Sequence, residues 1–186
     1  EKFGHASAGG FRGGKRDIYE GGHRVPFFVR WPGGVANPGR QWDGPVSQVD
    51  LLATLADLVG VKLPDDAGED SVSFYSVLGD PDSRRVAEPL IHHEINGRLG
   101  IRDGAWKLVM PHGQRTAELY NLVQDPAEKN NVVATHPAIV DELQDKLTAI
   151  VGRGRLTPGP VQKNDTDWWD DLTWMTADEY RALQAP

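Results

Sequence analysis

The sequence predicts an α/β fold whose most legible part is a small antiparallel four-stranded sheet packed on one helix. Three observations carry that expectation. From residue 89 onward, short apolar runs are separated by Asn96-Gly97 and Asp103-Gly104, dipeptides that favour tight hairpin turns. Residues 137–151 set Ile139, Val140, Leu143, Leu147 and Ile150 at helical spacing. Earlier, Leu51, Leu52, Leu55, Leu58 and Val59 form a second amphipathic stripe, which needs another surface to bury against.

Taken in order, residues 4–22 are glycine-rich, with Arg12, Lys15, Arg16 and Arg24 in or beside the run. That composition suits a loop whose backbone turns sharply and approaches a ligand closely. Val25–Trp31, bounded by Pro32-Gly33-Gly34, predicts a short buried strand. Ser47 and Asp50 suit the start of the first helix and Gly60 its end. Residues 64–71 read as an acidic loop and 79–89 as a polar connection. Pro89–Ile95, Arg98–Arg102, Trp106–Met110 and Glu118–Leu122 are the four strand-like runs. The helix from Pro137 is expected to lie across them, with Glu142 and Lys146 paired on its surface. After the Gly- and Pro-rich stretch 152–167, Trp168, Trp169, Trp174 and Met175 are too apolar to leave in water, so the tail is expected to dock. Thr176 and Glu179 suit the cap of a final short helix.

Composition bounds the function. With 186 residues, 39% of them hydrophobic, the chain can build one core, or one domain plus a docking tail. Its 27 acidic and 20 basic residues give a net charge of -7, which argues against a nucleic-acid partner. The absence of cysteine excludes disulfides, thiolate metal sites and a cysteine nucleophile within this chain. No apolar run approaches the ~20 residues of a membrane helix. The opening residues Glu1–His5 lack both an initiator Met and a signal-peptide pattern, so the chain is expected to be a fragment or a processed product.

The strongest chemical signal is the run from Gly13 to Pro26: flexible backbone, exposed amides and convergent positive charge, which suit an anion. A solvated linker has the same composition. It is not a nucleotide P-loop, because Arg16 stands where a Ser or Thr must hold magnesium. Nor is His5–Gly9 a hydrolase nucleophile elbow, which needs glycine at His5. Asp65, Asp66, Glu69 and Asp70 lack the alternating spacing of a calcium loop and read as a solvated turn. His92 and His93 are neighbours on a strand, so they face opposite sides and do not chelate one metal together. Trp168, Trp169 and Trp174 suit a sugar ring less well than a docking role.

Gly14-Lys15-Arg16-Asp17-Ile18-Tyr19-Glu20-Gly21-Gly22-His23-Arg24-Val25-Pro26 resembles a signature of the type I sulfatases, members of the alkaline phosphatase superfamily. The likeness continues, in the family's order, through Arg30–Gly33, Ser47–Leu52, Gly97-Arg98, Ile101–Leu108 and Glu118–Leu122 with Asp125-Pro126 and Glu128. The resemblance implies the C-terminal fragment of an alkaline-phosphatase-like sulfatase fold. Residues 1–80 would end the catalytic α/β domain, 81–152 would form the small sheet-and-helix subdomain, and 153–186 the docking tail. It also implies that Lys15 contacts the sulfate of a sulfated small molecule or glycan, near the ester oxygen. Arg12, His92 and His93 are weaker substrate candidates, and Glu20 and Arg24 are expected to hold the loop as carboxylate and partner. The family's formylglycine nucleophile and calcium ligands are implied to lie upstream, with no metal ligand in this chain, which alone would be inactive. A periplasmic or secreted location follows from the same likeness. Two other readings remain open on the residues alone: a phosphodiesterase or phosphonate monoester hydrolase of the superfamily, and a non-catalytic domain binding sulfated glycans.

Overall fold

The four expected strands form, each within two residues of its expected bounds. In the computed structural model, which describes residues 4–80, 82–83, 85 and 88–185, they are β1 (Leu90–His93), β2 (Leu99–Asp103), β3 (Trp106–Val109) and β4 (Glu118–Asn121). They make one antiparallel sheet in sequential order. The second turn differs slightly from expectation. Asp103 pairs with Trp106, so the two-residue loop is Gly104-Ala105, with Gly104 at φ 55°. Asp103 closes the strand instead of opening the turn.

The register gives the sheet two unlike faces, because successive side chains alternate sides. Ile91, Ile101, Leu108 and Leu119 lie in one row across the strands. The next row, on the opposite face, is Leu90, Arg102, Lys107 and Tyr120. The apolar face carries the core: Leu99, Ile101, Leu108 and Leu119 cluster with Leu143 and Leu147 of α4 (Pro137–Arg153). Trp168, Trp169, Trp174 and Met175 pack against this cluster. Two of the indoles keep polar partners, Trp169 donating to Asp171 at 3.0 Å and Trp174 to Thr148 at 3.0 Å. The final helix α5 (Ala177–Leu183) starts with the Thr176–Glu179 capping box. It approaches α4 closely at Gly152, where a Cβ would lie 2.7 Å from Leu183 Cβ.

The chain divides into two units. One contains the residues up to Pro26 together with Pro89–Gly152 and Asp165–Ala185; the other contains Phe27–Glu88 and Arg153–Asn164. The glycine-rich segment groups with the sheet, whereas residues 27–88 group with 153–164. The physical reason is local: the glycine-rich segment makes its contacts with the sheet.

In the second unit, a 3-10 turn (Gln48–Asp50) leads into α2 (Leu51–Val59), which Gly60 ends at φ 68°. Asp50 is buried and accepts from Ser47 N at 2.8 Å and Val72 N at 3.0 Å, while Arg85 pairs with it at 2.8 Å. Thr54 accepts from Phe74 N at 3.1 Å. The inward side of α2 therefore serves the backbone of 71–74, and a short helix α3 (Tyr75–Gly79) follows. Leu51, Leu52, Leu55 and Leu58 stay 37–55% exposed, so the stripe expected to be buried is not buried within this chain. The expected strand at 25–31 is also absent. The segment pairs with no strand among the described residues, and Phe28 is 90% exposed. An apolar run becomes a strand only beside another strand that takes its hydrogen bonds. The polar connection 79–89 lies partly outside the described residues.

Candidate functional site

The polar face of the sheet carries the glycine-rich loop. Gly100 leaves room for it: a Cβ there would lie 3.5 Å from Ile18 Cδ1, and Ile18 is fully buried. The loop also closes on itself. Gly21 N donates to Arg12 O at 2.8 Å, and a Cβ on Gly21 would sit 2.4 Å from Gly13 O. Only glycine allows that approach.

Two charged clusters fasten the loop to the strands. At its start, Arg12 donates to Tyr120 Oη (2.7 Å), Tyr19 Oη (2.8 Å), Glu128 O (3.1 Å) and Glu118 (3.2 Å). Glu118 also accepts from Tyr19 at 3.0 Å and from Arg98 at 2.9 Å, and bonds to the Tyr120 hydroxyl. Burial pushes the Glu118 carboxyl up, but the hydrogen bonds from Tyr120, Arg98 and Tyr19 outweigh it and hold it below the usual carboxylate range. Burial first, and Glu118 second, raise the phenols of Tyr19 and Tyr120.

At the other end, buried Glu20 sits beneath the start of α1 (Glu20–His23). Its carboxylate meets Lys107 at 3.1 Å and Arg102 at 3.3 Å. Glu128 pairs with the same lysine at 2.9 Å, an ionic contact without hydrogen-bond geometry, and accepts from Glu20 N at 2.7 Å. Burial raises the Glu128 carboxyl, and Lys107 opposes the shift. Arg24 is not the partner of Glu20. Only its backbone N–H reaches Glu20 O (2.7 Å), while its exposed guanidinium lies 4.6 Å from the Phe11 ring centroid.

Between these clusters Lys15, Arg16 and Asp17 are exposed. Gly14–Asp17 is a tight turn closed by Asp17 N donating to Gly14 O at 3.0 Å. Lys15 and Arg16 occupy its two central positions, with Arg16 at φ 86°. Lys15 is exposed, and among the described residues nothing pairs with its ammonium. A cation held on a fastened loop, with no carboxylate to neutralise it, is suited to an incoming anion.

The remaining candidates lie apart in kind. Arg12 is committed to the four groups named above. His92 faces the loop side, its ring centroid 4.6 Å from that of His23, and the Nε2 of each is buried without a hydrogen-bond partner. Burial, then Lys107, lowers the pKa of both imidazoles, that of His92 strongly. His93 is exposed on the opposite face against the edge of Trp169 at 5.1 Å. The two histidines therefore alternate across the strand. Lys107, Glu118, Tyr19, Tyr120, Glu128 and His23 build the site without having been singled out in the sequence. The one local signal among them is a charged residue inside an otherwise largely uncharged strand, Lys107 in β3 and Glu118 in β4.

Comparisons with known proteins agree with one another. The family model described as N-sulphoglucosamine sulphohydrolase, C-terminal, matches residues 10–152. The chain is 37% identical over 164 residues to an N-acetylgalactosamine-6-O-sulfatase of Bacteroides thetaiotaomicron, covering 81% of this chain and 32% of that protein. It is 35% identical over 133 residues to the steryl-sulfatase of Rattus norvegicus, covering 70% of this chain and 22% of that protein. A solved structure from work on glycosaminoglycan metabolism by Bacteroides thetaiotaomicron superposes with a TM-score of 0.71 at 38% identity, over 80% of this chain and 33% of that one. The chain thus spans about a third or less of the length of these relatives.

Proposed function

Since this chain belongs to the sulfatase family, as the C-terminal portion of a type I member with the alkaline-phosphatase-like fold, we propose that it supplies one wall of a site hydrolysing sulfate esters, with Lys15 against the sulfate. The observation that carries this reading is the Lys15 ammonium, exposed and without a partner among the described residues, on a loop fastened on both sides. Hydrolysis builds negative charge on the departing ester oxygen. A cation fixed beside that oxygen lowers the barrier, because no reorganisation is needed as the charge develops.

The formylglycine and calcium of the family are assigned to another portion of the polypeptide. The exposed Phe27–Val29 segment and the leucines of α2 support such a further portion, since they offer apolar surface for it to cover. A sulfated glycan is the substrate class favoured by the name of the Bacteroides relative. A periplasmic or secreted location follows the family likeness; among the described residues no helix is long and apolar enough to cross a membrane.

The test uses the full-length protein that carries this chain. Aryl sulfate is expected to be turned over in preference to an aryl phosphate diester. Lys15→Ala is expected to lower turnover by about 10²–10³-fold, the usual effect of losing one preorganised charge-stabilising group. The unfolding midpoint should not move. Near-normal turnover would overturn the role of Lys15, and preference for the diester would overturn the reaction.

A further inference from the structure

Arg16 occupies the third position of the Gly14–Asp17 turn with φ at 86°, the left-handed region that a type II turn requires there and that glycine fills most readily. An arginine in that place needs outside support. Two contacts give it. Asp17 Oδ2 accepts from Gly14 N at 2.9 Å, spanning the turn, and Arg16 O accepts from Ile95 N in the β1–β2 connection at 3.2 Å. Asp17 is also seated against Gly13, where a Cβ would lie 3.1 Å from both Asp17 Cβ and Oδ2. The Asp17 carboxylate is exposed and enters no ion pair among the described residues. Its hydrogen bond to Gly14 N is therefore the contact that fixes the backbone under Lys15.

We propose that Asp17 is a positioning residue for Lys15, bracing a turn that its own sequence disfavours so that the ammonium is presented in one place. This rests on the reading of Lys15 as the sulfate contact. The carboxylate works as a hydrogen-bond acceptor, not as a charge. Asparagine can do the same work, and glycine at position 16 removes the need for it.

A double-mutant cycle in the full-length enzyme tests this, with kcat/KM for an aryl sulfate as the readout. Asp17→Ala is expected to lower it by roughly tenfold, within the range that small misplacements of a catalytic group cost. Asp17→Asn and the pair Asp17→Ala with Arg16→Gly should each recover most of that loss. In a Lys15→Ala background, Asp17→Ala should have no further effect, because the residue it positions is gone. A merely structural Asp17 would lower activity equally in both backgrounds, which overturns the proposal. So does an Asp17→Asn variant as impaired as Asp17→Ala, or an unimpaired Asp17→Ala. If Lys15→Ala itself is near normal, the fault lies with the sulfate-site reading, and the two failures are told apart.

Discussion

Lys107 Nζ lies 3.1 Å from Glu20 Oε1, with the lysine side chain wholly buried and the glutamate nearly so. Glu128 approaches the same nitrogen from another side at 2.9 Å. One cation thus keeps two carboxylates tolerable in the interior, with Arg102 helping at 3.3 Å from Glu20. Lys107→Met is expected to destabilise the protein by about 3–5 kcal/mol, the cost of leaving buried charge uncompensated. Urea unfolding checks it. A loss under about 1 kcal/mol would show that solvent reaches the carboxylates and that the pair contributes little.

Stability should fall in mild acid, and the two stacked imidazoles should account for part of it. His23 faces Lys107, Glu20, Asp17 and Glu94, while His92 faces Lys107, His23 and Arg102. Burial holds both below the ordinary imidazole range in the folded state. The unfolded chain then takes up protons first. Stability is unaffected above about pH 6.5, declines as pH drops below it, and levels off once the folded imidazoles protonate. Unfolding midpoints from about pH 7.5 to 5 measure the slope. His92→Leu should flatten it; an unchanged slope would place the acid sensitivity elsewhere.

Gly21→Ala should disorganise the loop without touching its charges. The added methyl carbon would stand 2.4 Å from Gly13 O and 2.5 Å from Arg12 O, both backbone atoms, so the loop must open. The expected signature is a lost Gly21 N–Arg12 O bond, seen as faster amide exchange at Gly21, together with turnover lowered in the full-length enzyme by about tenfold or more. Retained amide protection would refute the close packing.

Leu147→Ala, in the middle of α4, is expected to cost about 2–5 kcal/mol, because Leu147 is fully buried against the apolar face and leaves a cavity. Thermal unfolding measures it. The loop face should be unaffected, so the contribution of Lys107 measured in this background should add to it independently.

The strands, α4 and the α5 cap were legible because each is signalled locally, by short apolar runs between turn residues, helical spacing and the Thr176–Glu179 box. The loop around Lys15 was legible as a place for an anion, but what fastens it was not. Glu20 meets Lys107, Arg12 meets Tyr120, and Ile18 seats at Gly100, contacts spanning most of a hundred residues that no local pattern announces. Pairing Glu20 with Arg24 failed for a geometric reason. Arg24 leaves α1 with extended backbone (φ −80°, ψ 105°), which carries its side chain away from Glu20. The apolar runs at 25–31 and 51–59 were read as buried because hydrophobicity alone does not say which partner covers it.

Leu108 and Lys107 are chain neighbours, yet one belongs to the core and the other to the support of the loop. In β3 the pleat ties those two duties to a single count of residues. Adding or deleting one residue there would drive a lysine into the leucines and a leucine under the glycines at the same stroke. A length change in this part of the chain is expected to be tolerated only in a connection such as Gly104-Ala105. A frame error inside β3 cannot produce a folded protein with a misplaced lysine, because folding and placement of the loop fail together.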